Sequence, residues 1–205
     1  MLHKQHILGK LLIIRKEKED MKTDARVRYT RKVIRENFME LLKEKPVSRI
    51  TVKEICERSE INRATFYKHY RDPLDLLEKI EEEMLQYLQE TLEHDACRNI
   101  TSLYTTVLTK IQENGALYRT ICSDHGDPGF SVRLFLTSYH KAFPMMSRHF
   151  EHLDKSQQKL LYYFIAQGSG GVISYWSQSG MKEPVEQVAQ FISETVNIIT
   201  KNFKA

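Results

Sequence analysis

Residues 50–69 read ITVKEICERSEINRATFYKH, and the fold follows from how this stretch is punctuated. Thr51 followed by Glu54 forms a capping box, a reciprocal pair of hydrogen bonds that opens a helix, and it places Val52, Ile55 and Cys56 on the inner side. That helix is expected to stop near Ser59. Asn62 then serves as the N-cap of a second helix from Arg63 to about Tyr70, with Phe66 facing inward and Ile61 packed just ahead of the cap. Arg63, Thr65, Tyr67, Lys68 and His69 remain on the outer face. Two short helices joined by a turn of three to four residues make a helix-turn-helix, which lays its second helix into the DNA major groove.

Outward from this motif, residues from about Thr30 to Lys45 place Ile34, Phe38, Leu41 and Leu42 on one helical face and end before Pro46. Three helices are thus expected in a unit spanning residues 22–72, small enough to lean on the C-terminal part of the chain for stability. Lys22 to Tyr29 reads as a basic arm without regular structure. Residues 1–21 read as a disordered tail. Its apolar stretch, Ile7 to Ile14, is interrupted by Lys10 and lacks the small-residue cleavage site of a secretory leader. Met21 is a candidate for the natural start, a hypothesis that rests on Glu17-Lys18-Glu19, which can be encoded by purine-rich codons resembling a ribosome-binding site.

Charge is distributed unevenly along the 205 residues. Residues 21–70 carry 13 Lys and Arg against 7 Asp and Glu, whereas residues 71–205 carry 13 against 17, within a whole-chain charge of +4. The excess of cations therefore falls where DNA phosphates would be neutralised. Cys56, Cys97 and Cys122 have no paired spacing, so free thiols in a reducing cytoplasm are expected rather than a disulfide framework or zinc knuckle. No run approaches the roughly 20 apolar residues that span a bilayer, and no membrane partner is expected.

Residues 73–205 read as a helical C-terminal unit for dimerisation and effector binding. Asp72-Pro73-Leu74-Asp75 is a strong helix start, with Asp at the N-cap and Pro at the first helical position. The helix from Pro73 to about His94 carries Leu74, Leu77, Ile80, Met84, Tyr87, Leu88 and Leu92 as its inner stripe. Further helices are expected over Ile100 to Glu113, Ala116 to Ser123 and Phe130 to about Phe150, the last bending near Pro144. Ser156 to Ser179 and Pro184 to Phe203 are apolar on more than one face, so each needs two partners. One is the core; the other is the same helix pair of a second subunit in an isologous four-helix interface, with Gly168-Ser169-Gly170-Gly171 allowing close approach. The fold class is all-α.

The run INRATFYKHYRDPLDLL, residues 61–77, resembles the DNA-binding signature of the TetR family of bacterial transcriptional regulators, over about residues 26–86. Gly168 to Gly171, Trp176 and Gly180 also resemble a C-terminal domain type common among TetR-like regulators of Firmicutes. The resemblance implies a homodimeric repressor that binds double-stranded DNA at a palindromic operator and responds to a small-molecule effector. Arg63 and Thr65, near the start of the recognition helix, are the candidates for base edges or flanking phosphates. Asn62 caps that helix, whose amide end can hold a phosphate. Tyr67, Lys68 and His69 are candidates for positioning the DNA backbone, with Thr51 doing so from the first motif helix by resemblance. Two residues depart from the family pattern: Glu60 stands where the turn usually has Gly, and Pro73 where many members place a phosphate-contacting Lys. These departures keep a second reading open, a TetR-like module that binds another protein.

No nucleophile motif, paired catalytic carboxylates or dinucleotide fingerprint supports an enzyme, and no cofactor or metal is expected. Gly168 to Gly171 lacks the GxxxxGK[ST] pattern of a phosphate loop. Asp124, His125 and Asp127 read as a polar turn, and His149 with His152 as a solvated face. Cys97 and Cys122 read as structural thiols. The ligand-binding residues are left unassigned, with Tyr104, Tyr118, Tyr139, Tyr163 and Trp176 weighed between pocket lining and core filling.

Overall fold

The computed structural model describes residues 25–94, 99–138, 142, 144 and 153–202, which are helices and connecting turns with no strand among them. Helix α1 spans residues 25–44, with Ile34, Phe38, Leu41 and Leu42 buried on one face. A 3-10 turn, Val47–Arg49, leads into α2 (Val52–Arg58) and α3 (Arg63–Tyr67). The long α4 (Pro73–His94) then carries the chain into α5 (Ile100–Glu113), α6 (Gly115–Ile121) and α7 (Phe130–Thr137). Helices α8 (Lys155–Gln178) and α9 (Val185–Asn202) come last. Among the described residues no helix is long and apolar enough to cross a membrane.

The caps explain where these helices begin. Asp72 Oδ1 accepts the Asp75 N–H at 2.8 Å, so α4 starts as its sequence predicts. Asn99 Oδ1 accepts from the Ser102 N–H and Asp154 Oδ1 from those of Ser156 and Gln157, opening α5 and α8. Each such cap contributes about 1 kcal/mol by satisfying N–H groups that have no partner within the helix.

Several boundaries differ from the sequence reading. The recognition helix ends at Tyr67 rather than near Tyr70, because the His69 and Tyr70 N–H groups both turn back to the Phe66 carbonyl. Helix α7 ends at Thr137, where the Ser138 N–H and hydroxyl both donate to the Phe135 carbonyl. Ala142 and Pro144 are helical, but the rest of the expected continuation to Phe150, like Cys97, Tyr139, His149 and His152, lies outside the described residues. On α4, Leu74 and Tyr87 are exposed, and Leu76, outside the expected stripe, is fully buried. Tyr87 stands at the surface with the Lys110 ammonium 5.6 Å from its ring centre.

Helix α9 lies along α5 and α7 along α8, while α4 meets both α5 and α7. One hydrophobic cluster runs without a break from Ile34 of α1 through Phe66 and Leu76 to Val196 of α9. The aromatics weighed as pocket lining divide clearly: Tyr104, Tyr118 and Trp176 are core, and Tyr163 is exposed. The polar tips of the three core aromatics are satisfied internally, by Ser169 at 3.0 Å, Ser131 at 2.9 Å and the Glu183 carbonyl at 2.9 Å. The glycine cluster sits inside α8, where a Cβ on Gly170 would come within 3.0 Å of Val132 while Gly168 and Gly171 face open space.

Candidate nucleic-acid interface

The motif is assembled from short-range hydrogen bonds that its sequence encodes. At the start of α2 the Glu54 N–H donates to Thr51 Oγ1 at 3.3 Å, and Glu54 Oε2 accepts from both the Thr51 N–H and hydroxyl at 2.9 and 2.8 Å. Lys45 also pairs with Glu54, and these donors hold the Glu54 carboxyl down at about 2. Glu54 is therefore ionised at any working pH. Thr51 is exposed, but its hydroxyl is committed to this box.

Helix α2 ends in a Schellman motif, in which the Ile61 N–H reaches the Cys56 carbonyl at 3.0 Å and the Glu60 N–H reaches that of Glu57 at 3.4 Å. Such an ending requires a left-handed residue, and Glu60 supplies it at φ 54°. The same geometry closes α8, where Gly180 takes φ 95°. A side chain in this conformation costs on the order of 1 kcal/mol relative to glycine. The departure from the expected Gly therefore leaves the turn intact and adds strain.

Asn62 Oδ1 then accepts from the Thr65 N–H at 2.8 Å and from the Thr65 hydroxyl at 3.0 Å. Phe66 anchors the helix below, fully buried, with Tyr67 edge-on at 5.7 Å between ring centres. Arg63, Ala64, Tyr67 and Lys68 are exposed together on the outer side, Asn62 beside them, while Thr65 is half-buried. Among the described residues no carboxylate lies within ion-pairing distance of Arg49, Arg63 or Lys68, whereas Lys45, Lys53, Arg58, Arg71 and Lys79 are all paired. An exposed cation of this kind can meet an anion without first breaking an ion pair. Burial and the nearby charges of Arg31, Lys68 and Lys79 push the His69 imidazole below its usual value, favouring the uncharged ring.

Sequence reasoning missed the clamp behind α3. Asp75 is buried and accepts from the Arg71 N–H at 2.9 Å, Arg71 Nε at 3.0 Å and Lys79 Nζ at 3.0 Å. Lys79 also donates to the His69 carbonyl at 3.0 Å, tying the end of the recognition segment to α4. The Arg71 N–H, outweighing the cost of burial, keeps the Asp75 carboxyl below its ordinary value. An acid in the first turn with Lys four residues on was the signal available for it.

A second link joins the motif unit to the C-terminal helices. His125, in the turn after α6, accepts the Val47 N–H with its carbonyl at 2.8 Å and places Nδ1 3.1 Å from the Leu42 carbonyl. In the same turn Asp127 accepts the Gly129 N–H at 2.7 Å and pairs with Arg133, which reaches Glu81 of α4 at 2.6 Å. Burial outweighs the pull of Arg133 and raises the Glu81 carboxyl to about 7. His125 and Asp127 thus commit their side chains to structure, and no set of three metal-binding side chains converges among the described residues. Cys56 and Cys122 are buried free thiols, both pushed up by burial and so poor thiolates.

Comparison with known proteins agrees with this architecture. Residues 34–80 match the family model described as bacterial regulatory proteins, tetR family, and residues 98–198 match one described as a transcriptional regulator C-terminal region. An uncharacterized HTH-type transcriptional regulator of Bacillus subtilis, YxbF, is 25% identical over 172 residues, covering 80% of this chain and 44% of that protein. The chain thus spans less than half of that relative's length. Among solved structures, a TetR transcriptional regulator from Streptococcus agalactiae is similar at a TM-score of 0.66 and 22% identity, covering 86% of this chain and 98% of the other. The dihydroxyacetone kinase operon activator DhaS is similar at a TM-score of 0.58 and 18% identity, over the same shares. With both of its halves matched by regulator models and a capped helix-turn-helix in place, the chain belongs to the tetR family of bacterial transcriptional regulators.

Proposed function

We propose that the protein is a homodimeric, ligand-responsive repressor whose two recognition helices read the halves of a palindromic operator. The observation that carries this reading is the outer face of α3, where Arg63 and Lys68 stand exposed and free of carboxylates on a helix fixed by Asn62 and Phe66. In it, Arg63 and Thr65 meet base edges or flanking phosphates, Asn62 holds the helix start, and Tyr67, Lys68, His69 and Thr51 set the DNA backbone. His69 acts as a hydrogen-bonding imidazole, and Thr51 acts by fixing the start of α2 through its capping box. Dimerisation is supported by α8 and α9, where Leu160, Phe164, Tyr175 and Phe191 are each more than half exposed although the opposite faces are core. An apolar surface of that kind on two neighbouring helices suits a self-complementary contact.

An effector would act by favouring a spacing of the two motifs other than the roughly 34 Å of one DNA turn. The buried free thiols suit a reducing cytoplasm, the compartment in which such a regulator would meet DNA. Selection of bound fragments from genomic DNA tests the reading. Enrichment of a palindrome is expected, with expression of the adjoining gene rising when the regulator is removed. No enriched sequence would favour the protein-interaction alternative, and falling expression would make the protein an activator.

A further inference from the structure

A cavity of about 1000 Å³ lies between α1 and the corner formed by α4, α5 and α6. Its volume is at the upper end for small-molecule sites. We propose that it binds an uncharged, largely apolar small molecule, and that this occupant bears directly on the DNA-binding unit because α1 forms one wall. The proposal rests on the ligand-responsive reading above and gives it a site and a ligand class.

The apolar lining comes from half-buried Met39 of α1, Met84 of α4 and Leu117 of α6, with Ile80, Leu88 and Ile111 behind them. Methionine side chains adapt to varied shapes, which suits a site for a flexible apolar guest. The charged residues around this floor are already neutralised within the protein. Arg35 pairs with Glu83 at 2.6 Å, Lys43 with Glu40 at 2.6 Å, Lys110 with Glu113 at 2.9 Å, and Glu36 with Lys32 at 3.8 Å. An ionic ligand would therefore meet no charge that lacks a partner of its own.

The uncharged polar groups are committed too. Asn37 donates to the Val33 carbonyl at 2.9 Å, Asn114 to that of Lys110 at 3.3 Å, and Thr120 to that of Ala116 at 3.0 Å. What the lining offers an occupant is therefore apolar contact, a few amide oxygens and the Tyr87 hydroxyl, beside Lys110.

Position gives the site its leverage. Arg35, Met39 and Lys43 face the cavity along one side of α1, while Ile34, Phe38 and Leu42 on the other side join the core of the motif. The α4 wall belongs to the helix whose first turns hold Asp75 and Lys79, the clamp on the end of the recognition segment. A guest that spreads α1 from α4 strains both supports of α3.

The test uses the full-length protein and the neutral fluorophore N-phenyl-1-naphthylamine, with anionic 8-anilino-1-naphthalenesulfonate for comparison. Saturable binding of the neutral probe is expected, at least tenfold tighter than the anion. Ala116 is exposed at the cavity wall, so Ala116→Phe narrows the site without entering the core; it should weaken the neutral probe tenfold or more with unchanged circular dichroism. Leu117→Ala, which enlarges the same wall, should change affinity by less. Phe164→Ser, on the distant apolar face, should leave it unaltered. Unchanged affinity in Ala116→Phe, tighter binding of the anion, or loss only in Phe164→Ser would overturn the proposal. The DNA arm is read separately, as the probe's effect on affinity for a selected operator duplex. Probe held in the cavity with unchanged DNA affinity refutes the ligand-response reading and leaves the site standing; absence of probe binding refutes the site alone.

Discussion

The backbone N–H of Val47 donates to the carbonyl of His125 at 2.8 Å, joining the turn before the helix-turn-helix to a turn in the C-terminal helices. The His125 ring adds a second bond to the Leu42 carbonyl, so one residue touches both ends of the α1 to 3-10 connection. His125→Ala removes the ring bond and keeps the backbone one. A neutral hydrogen bond contributes about 1 kcal/mol, so calorimetry should show melting lowered by roughly 2–4 °C. An unchanged midpoint would mean the ring bond contributes nothing net.

Glu81 makes stability depend on pH. The unfolded chain gives up this proton near the ordinary carboxylate value, whereas the folded protein holds it to about 7. Between those values the folded state binds more protons, so stability contributed at this site falls as pH rises and levels off above about 7. Glu81→Gln should remove that slope from denaturant unfolding measured between pH 5 and 8, a difference on the order of 3 kcal/mol across the range. A slope that persists in the variant would locate the titration elsewhere.

Glu60→Gly should stabilise the protein. The residue sits at φ 54°, where glycine has no steric cost. The gain is about 1 kcal/mol, or roughly 2–4 °C in melting temperature. Both hydrogen bonds of the turn come from backbone groups and persist. Affinity for DNA should stay the same, so a variant that melts higher but binds differently would show the side chain to have a role at the interface.

Lys68→Ala and Arg63→Ala should fail differently. With Lys68 meeting phosphates as proposed, its loss should weaken operator and random DNA alike and reduce the slope of log K against log salt by about 1. Arg63→Ala should cost about 1–3 kcal/mol on the operator and relax sequence preference there. Titrations of both variants on operator and random duplexes check this; equal losses on both DNAs for both variants would refute the division of roles.

Gly171→Ala separates the folding of one chain from its pairing. A Cβ there meets nothing within 4 Å inside the chain. Alanine in a helix should then stabilise the subunit by about 0.5–1 kcal/mol. If α8 packs closely on a second copy, the added methyl should weaken the dimer. Sedimentation equilibrium beside thermal melting would show the two effects with opposite sign; a dimer constant unmoved by the substitution would place the contact away from Gly171.

What could be read in the sequence was whatever depends on neighbours within a turn or two. Thr51 with Glu54, Asn62 with Thr65 and Asp72 with Asp75 all form caps at the expected helix starts. Glu60 stood out through the family resemblance alone, as a residue at a turn position where members usually have Gly. The end of α3 was misjudged because Lys68 to Tyr70 have helical propensity, yet the His69 and Tyr70 N–H groups share one carbonyl. Leu74 fits the apolar period of α4 and still faces solvent, since period alone does not say where the neighbouring helices end. The contacts of His125 with Val47 and Leu42, of Arg133 with Glu81 and of Lys79 with His69 bring separate elements together. Nothing in local spacing encodes them.

The hydrophobic cluster that runs unbroken from Ile34 to Val196 should make the helix-turn-helix and the C-terminal helices of this regulator melt together, as one calorimetric transition. Loss of packing anywhere along it, for instance around Trp176, should lower the population of DNA-competent molecules without touching a residue that meets DNA. Genetic screens for lost regulation would then recover core substitutions throughout the C-terminal helices, and such alleles should regain function at lower temperature while Arg63 and Lys68 alleles do not.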